Sequence, residues 1–72
     1  MNRTRMWVFE TDQYGETGNK NSIDDPIHIP RVGEFIDCDK AAGYVKHVQY
    51  YYNLKDKAEF SLIINVLLKE RV

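Results

Sequence analysis

Cys38, together with His28, His47, Asp37 and Asp39, is the set of residues in this chain whose types come nearest to metal or covalent chemistry. Thiolate and imidazole are zinc ligands, and a thiol beside an imidazole is the starting point of nucleophilic catalysis. The spacing speaks against both. There is no Cys-x-x-Cys or His-x-x-x-His pair, and a 72-residue chain has little room for a base, an orienting group and a substrate pocket. The acidic residues Glu10, Asp12, Glu16, Asp24 and Asp25 raise calcium as a second possibility. A calcium loop needs oxygen ligands at alternate positions, then a glycine and a closing glutamate, and Asp12-Gln13-Tyr14-Gly15-Glu16 does not supply them. The residues therefore point to a protein that is not an enzyme, with no metal site and no cofactor.

Aromatic side chains carry the sharper signal. Trp7, Phe9, Tyr14, Tyr44 and the run Tyr50-Tyr51-Tyr52 exceed what one thin core can use. Three consecutive tyrosines on a strand must place at least one ring on the outer face, because successive side chains alternate. Tyrosine and tryptophan are enriched at the centres of protein interfaces. The candidate binding residues are Trp7, Phe9, His47, Gln49, Tyr51, Ile63 and Leu67, the members of the outward set on three strands.

The elements that must position them read as β-strands. Residues 4–10 alternate, with Met6 and Val8 on one face and Arg5, Trp7 and Phe9 on the other. Phe35-Ile36-Asp37-Cys38, the segment from Gly43 to Tyr52, and residues 60–68 are rich in β-branched and aromatic side chains and are joined by polar turns. In the Tyr44 segment strict alternation places Val45 and Val48 on opposite faces, so a β-bulge near Lys46-His47 is expected. After it Val48, Tyr50, Tyr52 and Leu54 share a face, with Val48, Tyr50 and Tyr52 assigned inward and Tyr51 outward. In the last strand Phe60, Leu62, Ile64, Val66 and Leu68 share a face, and Ser61, Ile63, Asn65 and Leu67 share the other. A helix over residues 61–71 is disfavoured by its β-branched residues and by the lack of a capping box.

Between these strands, residues 11–25 are polar and glycine-containing and read as a long mobile loop or hairpin excursion, dispensable for folding. Pro26 and Pro30 bracket Ile27-His28-Ile29, which suits a short edge strand or an extended connector with Ile27 and Ile29 toward the core. The fold expected is a small all-β, five-stranded antiparallel barrel or sandwich, forming one domain over residues 1–72.

Size and charge bound what such a domain can do. A chain of 72 residues buries a thin core, and small domains often depend on a disulfide, a metal or a second subunit. Cys38 is the only cysteine, so no disulfide forms within the chain, and a lone thiol suits a reducing cytoplasm. No apolar run reaches the length of a signal peptide or a membrane span. Ten basic and eleven acidic side chains give a net charge of −1, which removes the broad attraction on which non-specific nucleic-acid binding depends. Ile63 and Leu67 give the last strand an apolar second face, which calls for a covering such as another copy of the chain.

Pro30-Arg31-Val32-Gly33-Glu34-Phe35, a short turn, Gly43-Tyr44-Val45-Lys46-His47-Val48 and a final apolar strand together resemble small Src-homology-3-like barrels. The pattern is most similar to short bacterial and bacteriophage proteins with a Pro-Arg-Val-Gly-Glu strand entry. The resemblance implies a barrel with a binding role: a phage-type or mobile-element accessory protein that binds or inhibits a host protein partner, without active-site residues. The alternative is a small barrel that binds single-stranded nucleic acid or nucleotides, stacking bases on the aromatic rings and placing Arg3, Arg5, Arg31, Lys46 and Lys55 on phosphates.

Overall fold

The structure, a computed structural model, describes residues 3–10 and 19–69. Five strands form one mixed sheet that curls into a nearly closed barrel, with no helix among the described residues. They are β1 (Arg3–Phe9), β2 (Lys20–Asp24), β3 (Phe35–Cys38), β4 (Ala41–Tyr52) and β5 (Phe60–Leu68), in the order β2-β1-β5-β4-β3.

The all-β class and the five strands match expectation, but the sheet is not wholly antiparallel. β1 and β5 lie side by side and run parallel, with Met6 opposite Ile64 and Val8 opposite Val66, while every other pairing is antiparallel. The reason is arithmetic. Five strands that reverse direction in turn leave the first and the last pointing the same way, so a barrel that joins them must include one parallel pair.

β2 is the main addition to the sequence reading, because Lys20–Asp24 falls inside the stretch expected to be a dispensable loop. It pairs with β1 from Arg5↔Asp24 to Phe9↔Lys20. Only Ile23 gives the segment an apolar residue of strand type, so its pattern is faint. Beside the backbone ladder and Ile23 on the core, polar contacts fix the end of the pairing. The Arg5 Nε donates to an Asp24 carboxylate oxygen at 2.8 Å, the Arg3 Nε to Asp25 at 3.2 Å, and the Thr4 amide to Asp25 at 3.1 Å. The rest of the expected loop, residues 11–18, lies outside the described residues.

Two hydrogen bonds cross the gap between the two sides of the sheet, one of them joining edge strands β2 and β3. The Asn21 side-chain amide donates to the Cys38 carbonyl at 2.7 Å, and the Ala42 amide donates to the Glu10 carboxylate at 3.3 Å. Met6, Val8, Ala41, Val45, Ile64, Val66 and Leu68 fill the interior, and Ile23, Ile29, Ile36, Cys38, Val48 and Leu62 pack around them. Each fully buried aliphatic side chain of this kind contributes roughly 1.5–3 kcal/mol.

The bulge in β4 is present. Val45 pairs with Leu68 and His47 with Leu67, leaving Lys46 as the extra residue, so Val45 and Val48 both reach the interior. A second irregularity was not foreseen. The β1–β5 register shifts between Arg3 and Thr4, which removes Phe60 from the inward set and lays its ring beneath the guanidinium groups of Arg5 and Arg3, at 4.0 and 4.8 Å.

Residues 26–34 form a connector. Pro30 is buried and Ile29 packs on the core, but Ile27, expected inward, is completely exposed. The Pro-Arg-Val-Gly-Glu segment is a turn held by Arg31, Gly33 and Glu34, with Val32 exposed. The Arg31 amide donates to the Glu34 carboxylate at 2.6 Å, and Gly33 takes a left-handed φ of +94°. The Gly33 amide then donates to the Val45 carbonyl, and the Val45 amide to the Glu34 carbonyl, both at 2.9 Å. The turn thereby extends the cover of β4 beyond the end of β3.

Candidate binding face

β-sheet pairing puts directly opposed residues on one face, so the register assigns the outer surface row by row. Trp7, Asn65 and Gln49 form one row across β1, β5 and β4. Phe9, Leu67 and His47 form the next on one side, and Arg5, Ile63 and Tyr51 the next on the other. The seven sequence-derived candidates, Trp7, Phe9, His47, Gln49, Tyr51, Ile63 and Leu67, thus share one face of three adjacent strands.

Trp7, Phe9, Ile63 and Leu67 are half-buried by their neighbours, while His47, Gln49 and Tyr51 are exposed. The Trp7 and Phe9 rings stack with centroids 6.3 Å apart and planes 23° from parallel. Lys20 Nζ lies 5.6 Å from the Trp7 ring centre and the Arg5 guanidinium 6.0 Å from it. The result is a mixed face, with Trp7 and Phe9 on β1, Ile63 and Leu67 flanking Asn65 on β5, and polar or charged groups at its border.

The charged border is ordered by its own contacts. Arg5 and Arg3 both reach Asp24, and Arg3 also meets Asp25 and Glu59. The hydrogen bond from Arg5, reinforced by the charges of Arg5 and Arg3, holds the Asp24 carboxyl below its ordinary value. The Thr4 amide, with help from Arg3, does the same for Asp25. The sequence treated these aspartates as solvated loop residues. The signal that would have found them was the alternation Lys20-Asn21-Ser22-Ile23-Asp24, with Asp24 beside a strand rich in arginine.

The tyrosine run departs from expectation. Tyr50 and Tyr52 do take the inward parity of Val48, yet they are 50% and 65% exposed, against 55% for the outward Tyr51, and Leu54, expected to share their face, is 87% exposed. β3 pairs with β4 only at Ala41–Tyr44, so among the described residues no strand continues beside the second half of β4 to close the barrel over these rings. A further aromatic pair escaped notice at the other end of that strand: exposed Phe35 and Tyr44 meet edge to face at 5.2 Å.

The residues first weighed for metal or covalent chemistry are dispersed. His47 stands opposite Leu67 on the outer face, and His28 lies 3.5 Å from Glu34. Cys38 is half-buried and its thiol donates to the Ala41 carbonyl at 3.1 Å. Burial pushes its pKa up, which disfavours the reactive thiolate at neutral pH. Among the described residues no three His, Cys, Asp or Glu side chains gather where they would hold a metal ion. No helix among them is long and apolar enough to cross a membrane.

Comparison with known proteins yields no match to any family model, to any curated protein or to any solved structure.

Proposed function

We propose that this chain is a non-catalytic binding module that docks a protein partner on the outer face of β1, β5 and β4. One observation carries the reading. Trp7, Phe9, Ile63 and Leu67 put large apolar side chains on the side of the sheet away from the core, where they are only partly buried. Apolar side chains left partly open to water are costly to keep, and aromatic residues backed by a rigid sheet are the usual anchors of protein interfaces. An accessory role of bacteriophage or mobile-element type, binding or inhibiting a host protein in the cytoplasm, is supported by the sequence resemblance alone.

The alternative, single-stranded nucleic acid stacked on the same rings, is less well supported. Two of the five cations it would place on phosphates, Arg3 and Arg5, are already engaged by Asp24, Asp25 and Glu59. The two readings separate in one comparison. A protein partner would be captured from a lysate of the source cell by the wild-type chain and lost with Trp7→Ala, and the wild-type chain would show no affinity for a single-stranded oligonucleotide at low salt. Tight oligonucleotide binding that falls steeply as salt is raised would overturn the protein reading in favour of its rival.

A further inference from the structure

The second half of β4 presents an open strand edge. From Ala41 to Tyr44 the strand is paired with β3 on one side, and the Gly33–Glu34 turn satisfies Val45 on that same side. From His47 to Tyr52 it pairs only with β5 among the described residues. The Asn53 amide donates to the Ser61 carbonyl at 2.8 Å, which sets the alternation. Gln49 and Tyr51 direct their backbone groups at β5, and Val48, Tyr50 and Tyr52 direct theirs away from the sheet.

Open edges invite pairing, and folded proteins blunt them with short strands, charges or proline. The other two edges follow that rule. β2 has five residues with exposed Lys20 and Asp24, and its Asn21 is bonded to Cys38; β3 has four residues with exposed Asp37. The bulge and exposed Lys46 stand at the head of this edge, but His47-Val48-Gln49-Tyr50-Tyr51-Tyr52 beyond them has neither proline, lysine nor acid.

We propose that this edge pairs antiparallel with the same edge of a second copy of the chain, about a two-fold axis at Tyr50. The sequence is self-complementary in that register. Tyr50 meets Tyr50 of the second copy, and Val48 meets Tyr52 in both directions, each pair exchanging two backbone hydrogen bonds. Aromatic–aromatic and aromatic–β-branched neighbours are favourable across strands, and no like charges come opposite each other. The pairing also covers the inward-parity rings of Tyr50 and Tyr52, which the single chain leaves half exposed. It leaves Trp7, Phe9, Ile63 and Leu67 open, so the dimer would present two docking faces on one continuous sheet. The inference stands on the strand edge and does not depend on the reading of the outer face.

Analytical ultracentrifugation of the full chain tests it. The wild-type chain is expected to dimerise, and Tyr50→Lys and Tyr50→Glu, each placing like charges across the axis, are expected to weaken the dimer about tenfold or more. An equimolar mixture of the two variants should recover it, because opposite charges then meet. Tyr52→Pro removes only an outward amide and should weaken the dimer while keeping the β-sheet circular dichroism. A wild-type chain that stays monomeric at every concentration would overturn the proposal. So would a dimer unaffected by these variants, or one lost only with the outer-face change Leu67→Glu.

Discussion

The inner and outer faces of the β1–β5–β4 sheet are both apolar, yet only one is sealed. Met6, Val8, Ile64 and Val66 face inward at no more than 1% exposure, while Trp7, Phe9, Ile63 and Leu67, one residue away along the same strands, remain partly exposed. A strand with a single buried face alternates apolar and polar residues; β1 and β5 put large apolar groups on both sides. The core accounts for one set. The other is only partly covered by its neighbours on the described chain, and that asymmetry is what argues for binding.

Neighbouring isoleucines in β5 break the comparison most sharply. Ile64→Ala empties a site of 0% exposure and should cost about 2–5 kcal/mol of folding stability, read from the denaturant midpoint. Ile63→Ala, on the outer face, should cost about 1 kcal/mol or less. Equal losses would mean that the outer face is packed structure.

Gly33→Ala tests the turn that docks on Val45. A Cβ there would meet nothing within 4 Å, so the penalty comes from the φ of +94° alone and should be about 1–3 kcal/mol. The tyrosines come next. Tyr51→Ala should weaken partner binding by about 1–2 kcal/mol with little change in folding stability. Tyr50→Ala, half exposed instead of core, should cost the isolated chain about 1 kcal/mol or less in stability, well short of a core deletion.

The smallest effect is electrostatic. Asp24, Asp25 and Glu34 all have carboxyls held below their ordinary values, so acid protonates them first in the unfolded chain. Their stabilisation is present at neutral pH and is lost as pH falls through about 4 and below. Asp24→Asn should make the acid limb of the stability profile shallower, and an unchanged limb would remove the Arg5–Asp24 pair from the account.

Much of this architecture is legible in the residues because side-chain period and burial coincide. The alternation of Met6 and Val8 against Trp7 and Phe9 assigns β1, and the conflict between Val45 and Val48 announces the bulge at Lys46. The outer-face set follows from the same counting. What escapes it depends on partners distant in sequence. β2 is tied to β1 by ion pairs that span about twenty residues, as in Arg5 to Asp24, and Phe60 changes face through a register shift that no local pattern records. Tyr50 has inward parity, but burial also needs a strand on the far side, and β3 is too short to provide one.

The central claim is that the outer face docks a protein, and the most direct measurement is quantitative capture from a lysate of the source cell on immobilised wild-type chain, Trp7→Ala and Leu67→Glu, with Lys55→Ala as a control in the β4–β5 connection away from that face. The account predicts a specific protein retained by the wild type and by Lys55→Ala and lost from both outer-face variants, all four proteins being folded by circular dichroism. Retention of the same protein by all four, or no protein above background, would contradict it.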